Sequence, residues 1–456
     1  MPPPPSWRGC AALTPARPAG RRPRTSTRPP PTSWRPLRGP GTPSAVDAPR
    51  TLAVEIRAVA PDELEVLGRV TAMAFGQDPD PAAGESYRKL LELERSRGTF
   101  EQGRMVGGSF AYGLELTIPG GEAAAAGVAS VGVLPSHRRR GIMRRMVTEL
   151  LSDARDRGDI LAVLWSTEVP LYGRFGFGVA GVTTKLVIDR FPLVPHRLAP
   201  RPAPVVLVEP DEAKELLPPV FDRKRREVPG MFARSEDWWE LEILADAPRH
   251  RGDASSLRYA LALDSDGHAI GYAQYRTSGA WEGIGLGITL KLEEMIALTP
   301  AAYAGLWNFL VNQDLLRQLR AWNVPAETAL HQLFANFRES QTLNDGLWLR
   351  ILDVEAALSA RRYSADGSLV LGVFDPMSAE ATRYRLEVSG GMGSCRRVSD
   401  APDLSLDLED LSAGFLGRAR FRRLGSLGRL KGEPAARALA DAMFDWDPQP
   451  WCQEVF

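Results

Sequence analysis

The sequence predicts a multidomain α/β (α+β) protein built on mixed β-sheets, and three observations support this. The chain has 456 residues, more than one ordinary domain holds. Its 44% hydrophobic and 25% charged content is typical of a globular protein that buries a core. From about residue 52 onward, apolar residues at helical spacing alternate with short strand-like apolar runs.

The composition excludes several classes of protein. No run approaches the roughly 18 to 20 apolar residues that a membrane-spanning helix needs. We therefore expect a cytoplasmic protein, with secretion without a classical signal peptide as an alternative. The three cysteines, Cys10, Cys395 and Cys452, and the five histidines are dispersed. They predict neither a disulfide framework nor a metal site.

The N-terminal segment differs from the rest of the chain. Residues 1–45 contain 13 prolines, eight arginines and no acidic residue. Such a segment cannot bury enough apolar surface to offset its ordering entropy, so we predict a disordered Pro/Arg-rich extension over residues 1–50. When the eight arginines of this segment are left out, 48 Lys+Arg and 56 Asp+Glu remain, so the rest of the chain carries a net charge of about −8. This acidic body does not suggest a nucleic-acid binder.

The first ordered part reads as a mixed α/β domain with a central sheet. A short strand at Leu52–Ile56 precedes a helix that opens at Pro61, with Leu64, Leu67, Val70 and Met73 at helical spacing. The elements expected next are a helix at Tyr87–Glu94, strands at Thr99–Val106, Ser109–Thr117 and Gly127–Leu134, a helix at Gly141–Arg157, and strands at Asp159–Trp165 and Thr183–Ile188.

Two further segments follow a proline-rich linker at residues 191–204. The second is an α/β segment from about Val205 to Asn344, with strands at Tyr259–Leu263 and Ala269–Tyr275 and a helix at Ala301–Leu319. The last segment contains strands at Gly346–Leu352, Ser368–Phe374 and Thr382–Val388 and a closing helix at Glu433–Phe444.

A strand, a basic glycine-containing loop and a helix follow one another between Val128 and Met146. The free N–H groups and the positive dipole end of a helix suit a pyrophosphate. Gly141 permits a close approach of the backbone to such a ligand. Four arginines add positive charge around the loop: Arg138, Arg139, Arg140 and Arg144. The alternative is an arginine-rich surface turn before an ordinary amphipathic helix.

The loop lacks the GxxxxGK[ST] pattern of a P-loop and the GxGxxG pattern of a dinucleotide-binding loop. It resembles the Arg-x-x-Gly-x-small signature of the GNAT acetyltransferases, with Met143 at the final position. That resemblance implies that Asp159–Trp165 splays away from Ala129–Val133, so that the pantetheine arm of coenzyme A can pair with the exposed backbone. It also implies a tyrosine after the second strand, where Tyr172 stands; the alternative for Tyr172 is a packing role.

Several blocks together resemble the Eis (enhanced intracellular survival) family over residues 53–456. They are Arg138–Arg145, Tyr172–Gly178, Arg226–Gly230, Asp345–Ile351 and the terminal aromatic Phe456. The resemblance implies a catalytic GNAT domain (51–195), a second GNAT-like domain without the cofactor loop (196–345) and a sterol-carrier-protein-like domain (346–456). It also implies a homohexamer.

The resemblance assigns roles to individual residues, with acetyl-CoA as co-substrate. The backbone of three residues would pair with the pantetheine arm: Val131, Gly132 and Val133. Six residues would cradle the phosphates: Arg139, Arg140, Gly141, Ile142, Met143 and Arg144. Thr167 and Glu168 would line the far side of the slot. Tyr172 would be the general acid, and the α-carboxylate of Phe456 the general base.

A terminal carboxylate ordinarily has a pKa of about 3.3–3.7, too low for a base at neutral pH. Burial and neighbouring negative charge would raise it. We expect Glu454 to add that charge and to attract a cationic amine. Glu168, Glu115 and His137 are the other candidate bases, with Glu115 as the fallback.

The function expected from the resemblance is acetyl transfer to a primary amine of an aminoglycoside, a polyamine or a lysine side chain. The alternative is a lipid- or sterol-binding carrier in which the GNAT halves are a non-catalytic scaffold. A third hypothesis is an acyltransferase that prefers longer chains, since Met143 would alter the wall of the cofactor slot.

Overall fold

The computed structural model describes residues 54–79, 88–189, 193–246, 251–282, 285–338, 340–378, 380–418 and 420–456. The predicted disordered extension, residues 1–50, lies outside the described residues. Residues 52–456 form one compact unit that contains three β-sheets. Among the described residues, no helix has the length and apolar character that crossing a membrane requires.

The strands are β1 (Glu55–Arg57), β2 (Ser96–Glu101), β3 (Arg104–Ile118), β4 (Gly121–Val133), β5 (Leu161–Trp165), β6 (Gly178–Val179), β7 (Val182–Asp189), β8 (Val205–Val208), β9 (Arg258–Leu263), β10 (Ala269–Glu282), β11 (Gly285–Ala297), β12 (Leu316–Pro325), β13 (Ser340–Asp345), β14 (Leu347–Ile351), β15 (Gly367–Asp375), β16 (Glu380–Ser389), β17 (Met392–Arg397), β18 (Leu404–Asp407) and β19 (Leu430–Gly432). The helices of six or more residues are α1 (Leu64–Ala74), α2 (Ile142–Asp156), α3 (Pro210–Arg225), α4 (Pro300–Val311), α5 (Val354–Ala360), α6 (Leu408–Gly414), α7 (Phe421–Ser426) and α8 (Pro434–Phe444).

The predicted α/β (α+β) class is confirmed. The first sheet has the order β1-β2-β3-β4-β5-β14-β6, the second β13-β7-β12-β11-β10-β9-β8, and the third β17-β16-β15-β18-β19. Strands β1 to β4 form an antiparallel meander, and β5 returns parallel to β4 after the crossover helix α2. The first and second sheets therefore each contain one parallel pair, β4–β5 and β11–β12.

The amphipathic helix predicted at Gly141–Arg157 is present as α2. Its buried residues recur at helical spacing and pack against the first sheet: Ile142, Met146, Val147, Leu150, Leu151 and Ala154. Apolar periodicity alone was sufficient to predict this element, because one face of α2 is covered and the other is exposed to solvent.

Three predictions of secondary structure were wrong. The predicted strand Thr99–Val106 is a hairpin, because Gln102 and Gly103 both adopt positive φ and form its two-residue turn. The predicted helix Ala301–Leu319 ends at Val311, and its last residues belong to β12. Leu316 and Leu319 stand three positions apart, which is also the spacing of a helix face, so periodicity alone does not tell the two apart. The predicted helix at Tyr87–Glu94 is replaced by a helical turn at 88–90 and a 3₁₀ turn at Leu93–Arg95, with Tyr87 outside the described residues.

One predicted core residue is also placed differently. Leu64, Leu67 and Val70 of α1 are buried as expected, whereas Met73 is 52% exposed. Met73 lies in the last turn of α1, off the face that carries its buried residues.

Two strands lie in a sheet that belongs mainly to another predicted domain. Strand β7 precedes the predicted boundary at 195/196, yet it lies in the second sheet between β13 and β12. Strand β14 follows the predicted boundary at 345/346, yet it lies in the first sheet between β5 and β6. The boundaries stay predictions, and each of the two sheets depends on a strand from beyond its own segment.

Candidate active site

Strands β4 and β5 pair only at their beginnings. Three register pairs join them: Ala125 with Leu161, Ala126 with Ala162, and Gly127 with Val163. Beyond Gly127, β4 continues to Val133 along β3, while β5 continues to Trp165 along β14. In the described structure the edge of β4 facing β5 therefore carries no partner strand over residues 128–133. The splay that the sequence analysis predicted lies here.

A bulge shapes the free edge of β4. The register between β3 and β4 shifts between Gly108 and Phe110, and Ser130 has a φ of 51°. Such a bulge bends a strand and redirects the groups that follow it. Those groups are the predicted pantetheine-binding residues Val131, Gly132 and Val133. Sequence analysis missed Ser130, since nothing in its neighbours indicates a left-handed conformation.

The loop between β4 and α2 has the geometry of an anion site. Arg139 and Gly141 both adopt positive φ, 62° and 77°, and Gly141 caps α2. The first N–H groups of a helix have no intrahelical partner and carry a partial positive charge. A Cβ on Gly141 would meet nothing within 4 Å, so space is open in front of this helix end. These features fit the phosphates of coenzyme A.

The arginines of the loop are not equivalent. Arg139 and Arg144 are exposed and form no ion pair with any residue that the structure describes. Arg138 donates to the carbonyl oxygens of Ala74 at 2.6 Å and of Val133 at 3.3 Å, which ties the loop to α1 and β4.

Arg140 forms an ion pair with Glu101 at the end of β2, and this pairing lowers the pKa of Glu101. The side chains available to phosphates are therefore those of Arg139 and Arg144, while Arg140 offers its backbone. Glu101 was missed by the sequence analysis, because only the hairpin brings β2 beside the loop.

The far side of the gap is formed by the segment after β5. Thr167 and Glu168 are exposed there, immediately before a 3₁₀ turn at Val169–Leu171. Met143, in the first turn of α2, is partly buried and packs in the same clusters as Val131. The predicted cofactor residues thus lie on β4, in the segment that follows β5, and in the loop and first turn of α2 beside the gap.

Tyr172 lies after β5 and is 7% exposed. Its ring packs edge-to-face with Phe177 at 5.9 Å and against α2 through Val147 and Leu150. The hydroxyl makes no hydrogen bond to any residue that the structure describes. Burial raises the pKa of Tyr172 to about 12, so the hydroxyl keeps its proton throughout the neutral range. A protonated, unengaged phenol is suited to donate a proton.

Phe456, the last residue, reaches the first sheet. Its ring contacts Tyr112 at 6.2 Å and Phe232 at 5.7 Å in edge-to-face geometry. A Cβ on Gly127 would come within 3.1 Å of the Phe456 ring. The terminal residue therefore packs over Gly127, where β4 and β5 separate.

Tyr172 and Phe456 approach the gap from opposite faces of the sheet. Tyr172 packs with Ala126 and Val128, whereas Phe456 packs over the intervening Gly127. Successive side chains of a strand point to opposite faces. The gap between β4 and β5 opens just beyond Gly127, and the two candidate proton-transfer groups stand on either side of it.

The environment of Glu454 differs from the expectation. Its carboxylate is buried and accepts from Nε of Arg234 at 2.6 Å. Arg234 is fully buried, also pairs with Glu294, and stacks on Phe221 at 3.6 Å. The charge of Glu454 is thus compensated by a neighbouring cation, and we assign it to anchoring the C-terminal segment.

A cavity of about 210 Å³ lies beside this C-terminal segment, with Gln453, Glu454 and Val455 in its wall. Its lining includes four carboxylates and two indoles: Glu242, Glu293, Glu294, Glu454, Trp238 and Trp322. No Lys or Arg side chain lines it, although Arg234, Arg276 and Lys291 pair with its carboxylates from outside. The sequence did not indicate this cluster, because its members come from four separate stretches of the chain.

Two of the three other predicted bases, Glu115 and His137, are engaged elsewhere, whereas Glu168 is exposed beside the gap and stays a prediction. Glu115 pairs with Arg225 of α3 at 3.2 Å and lies opposite Ala124, before the point where the gap opens. His137 contacts Glu101 at 3.1 Å and Ser136 at 2.8 Å within the loop. Neither stands at the gap, so we do not retain them as candidate bases.

The chain resembles known proteins along most of its length. Residues 55–180 and 230–351 match two family models of an acetyltransferase (GNAT) domain, and residues 354–453 match a sterol carrier protein domain. An uncharacterized N-acetyltransferase of Streptomyces avermitilis is 33% identical over 88% of this chain and 99% of its own length.

Two further relatives are named Eis. The N-acetyltransferase Eis of Mycobacterium tuberculosis is 31% identical over 79% of this chain and 89% of its own length. The crystal structure of Eis1 from Mycobacterium abscessus is 30% identical and superposes with a TM-score of 0.75, covering 89% of this chain and 100% of that one.

Proposed function

The chain belongs to the Eis family of GNAT N-acetyltransferases, and on that premise we propose that it transfers an acetyl group from acetyl-CoA to a primary amine by direct attack. One observation carries the proposal. The unpaired edge of β4 runs into a loop whose backbone conformation leaves the N-terminus of α2 open. A pantetheine arm fits along the edge while the pyrophosphate meets the helix end.

The reaction requires two proton transfers. The amine nitrogen attacks the thioester carbon, and the α-carboxylate of Phe456 takes a proton from that nitrogen. A backbone N–H near Val131 or Val133 donates to the oxyanion. When the C–S bond breaks, Tyr172 gives its proton to the departing thiolate. Holding both substrates in the gap supplies a large share of the rate enhancement.

The acidic cavity beside the C-terminal segment supports a cationic acceptor. Three of the four glutamates in its wall, Glu293, Glu294 and Glu454, are already paired with cations, whereas Glu242 forms no ion pair with any residue that the structure describes and is available to an amine. Ammonium groups of a polyamine, an aminoglycoside or a lysine-containing peptide pair with carboxylates, and indoles such as Trp238 attract cations. An acceptor held there would present one amine toward Phe456.

Two alternatives make different predictions. A lipid carrier with a non-catalytic GNAT scaffold binds no acetyl-CoA. An acyltransferase with a preference for longer chains turns over propionyl- or malonyl-CoA faster than acetyl-CoA, because the flexible side chain of Met143 lines the slot. Comparing the three thioesters in one assay separates these outcomes.

The central experiment is a free-thiol release assay with acetyl-CoA and a panel of amines, run on three proteins. They are the unmodified chain, Tyr172→Phe, and a chain with one glycine appended after Phe456. General acid–base groups contribute roughly 10²- to 10⁴-fold, so both altered proteins should lose about that factor in kcat. Acetyl-CoA affinity should stay unchanged in both, as measured by calorimetry.

Tyr259→Phe is the matched control, since Tyr259 is also buried but belongs to the second sheet. It should keep full activity. Full activity of the glycine-extended chain would remove the terminal carboxylate from the mechanism. Absence of acetyl-CoA binding to the unmodified chain would remove the proposed function as a whole.

We also propose a homohexamer. Exposed apolar side chains on the edge strand β8 and the adjacent α3 support an oligomer contact: Val206, Leu207 and Leu216. Light scattering after size exclusion should give about six times the 49.9 kDa mass of one chain. A monomeric mass at micromolar concentration would contradict the assembly without affecting the catalytic proposal.

A further inference from the structure

A second, larger cavity lies away from the candidate active site. Its volume is about 890 Å³, within the range of roughly 300–1,000 Å³ that small-molecule sites occupy. All three sheet-containing parts of the compact unit contribute to it, through β6, β12, β13, α6, α7 and residues 447–451. None of the residues assigned to acetyl-CoA or to proton transfer lines it.

One part of the cavity wall is apolar. Leu343 of β13 and Leu427 after α7 line it with 60% and 68% of their surface exposed, and Leu424 and Val182 stand beside them. Exposed leucines that converge on one concave surface are uncommon on a folded domain and often mark a site of association.

Four arginines line the same cavity, and they divide into two pairs. Arg429 is held by Glu409 at 2.9 Å and by Asp410 at 3.0 Å, and Arg420 pairs with Asp445. Arg418 and Arg423 form no ion pair with any part of the chain that the structure describes. The exposed carboxylates of Glu327 and Asp447 also line the cavity, without pairing to either of these two arginines.

The position of Arg418 is electrostatically costly in the absence of a ligand. Arg418 is partly buried, and its burial lowers its pKa, with the charge of Arg423 as the second cause. Two guanidinium groups near each other without a counterion repel, and the desolvated one has lost water without gaining a partner. A carboxylate or phosphate placed between them would offset both costs and could accept several charge-assisted hydrogen bonds.

We propose that this cavity binds an amphipathic anion, whose carboxylate or phosphate head pairs with Arg418 and Arg423 while its hydrocarbon chain lies against Leu343, Leu424 and Leu427. The head requires a negative charge, and the leucines require an apolar tail. A free fatty acid and a lipid phosphate share this chemistry. The site is independent of acetyl transfer and does not rest on the function proposed above.

Calorimetric titration of the full-length chain, without acetyl-CoA, tests the proposal. The probes are decanoate, decyl phosphate, decanol and inorganic phosphate, each below its micelle-forming concentration. We expect one saturable site per chain for decanoate or decyl phosphate, and the tighter of the two identifies the head. Decanol and inorganic phosphate should bind at least about tenfold more weakly, because each lacks one of the two recognised parts.

Two variants locate the site. Arg418→Gln/Arg423→Gln should weaken the binding of the preferred probe by roughly tenfold or more, since charge-assisted hydrogen bonds are lost. Leu427→Glu, at a largely exposed position, should weaken it by placing negative charge beside the tail. Arg396→Gln, an exposed arginine on β17 outside the cavity, is the matched control and should bind as the unmodified chain does.

The circular dichroism spectrum and the thermal unfolding midpoint of each variant, compared with those of the unmodified chain, verify that the variant is folded. Absence of saturable binding of both anions to the unmodified chain would overturn the proposal. So would equal affinity of the double arginine variant, or equal affinity of decyl phosphate and inorganic phosphate, which would leave the leucines without a role.

Discussion

At the scale of single residues, two glycines control how closely groups approach one another at the candidate site. Gly127 lies beneath the ring of Phe456, and Gly141 faces the open space before α2. The first is required by packing within the chain, the second by backbone conformation and by the room that a ligand needs. Each has a control glycine on the same element. Gly121 on β4 has no neighbour within 4 Å of a Cβ, and Gly158 at the end of α2 has positive φ but lies away from the loop.

Gly127→Ala should displace the terminal residue. The added Cβ would come to 2.6 Å from Leu114 Cδ1 and 3.1 Å from Phe456 Cε2, so the ring of Phe456 must shift. We expect a lower kcat with unchanged acetyl-CoA affinity, and a loss of about 1–3 kcal/mol in the free energy of unfolding. Gly121→Ala, on the same strand with nothing within 4 Å, should change neither quantity. Equal kcat for the two variants would contradict the position given to Phe456.

Gly141→Ala should weaken acetyl-CoA binding. A φ of 77° is unfavourable for alanine by roughly 1–2 kcal/mol, and the new methyl group would face the phosphates. Gly158, at the other end of α2, also has positive φ and open space around its Cβ. Gly158→Ala should therefore lose similar stability in a urea titration but keep its affinity. If calorimetry gives both variants the same affinity, the loop does not hold the phosphates.

At the scale of elements, the strand–connection–helix unit occurs twice. In the first sheet, residues 134–141 connect β4 to α2, whereas only residues 298–299 connect β11 to α4. The second helix begins with Pro300, and the Thr299 hydroxyl already accepts the N–H of Ala302 at 3.1 Å. Its strands also pair over a longer stretch, from Ile288 to Leu292 on β11. The two strands nevertheless separate beyond Leu292, where β11 runs on to Ala297 along β10. The second unit therefore has a gap of its own but no open helix end.

The stoichiometry of acetyl-CoA follows from this difference. Calorimetry on the unmodified chain should give one molecule of acetyl-CoA per chain, bound at the β4–β5 gap. Thr299→Ala should destabilise the fold by about 1 kcal/mol through the lost cap, without any change in stoichiometry or affinity. Two bound molecules per chain would show that the second unit has retained a cofactor site.

At the scale of the whole molecule, the C-terminal segment crosses from the third sheet to the first. Trp451 donates its backbone N–H to Pro229 at 2.9 Å, and a Cβ on Gly230 would meet the Trp451 carbonyl at 3.0 Å. Asn323 donates to the carbonyls of Cys452 at 3.1 Å and Gln453 at 2.8 Å. Pro229 and Gly230, which belong to the block Arg226–Gly230 named in the sequence analysis, thus contact the C-terminal segment directly.

Arg234→Met should both unfold the protein more easily and reduce kcat. Removing this buried cation leaves Glu294 and Glu454 uncompensated, and breaking such a buried network costs about 3–5 kcal/mol. Phe456, two residues beyond Glu454, would lose its fixed position. Denaturant titration and the thiol-release assay measure the two effects.

Arg226→Met is the control for this variant. Arg226 is exposed and pairs with Asp222 at 2.8 Å, an interaction worth about 0–1 kcal/mol. A loss of stability in Arg234→Met no greater than in this control would mean that the network does not anchor the chain end.

The sequence alone determined the class of fold, the helix α2 and the position of the glycine-containing loop, whose role in binding phosphates stays a prediction. These depend on local periodicity, on a helix end and on a backbone conformation, all of which are properties of a short segment. The identities of Tyr172 and Phe456 as candidates came from the family resemblance, and their roles stay predictions.

Only the tertiary structure decided which groups meet. The hairpin brings Glu101 to Arg140, β7 and β14 change sheets, and Arg234 pairs with Glu454 at the wall of the acidic cavity. The acidic cavity and the arginine-lined cavity are likewise assembled from distant segments. Glu101 and Arg140 are 39 positions apart, and Arg234 and Glu454 are 220 apart. Such distant partners leave no local pattern, because their contact is set by packing and by the burial of charge rather than by the residues adjacent in the chain.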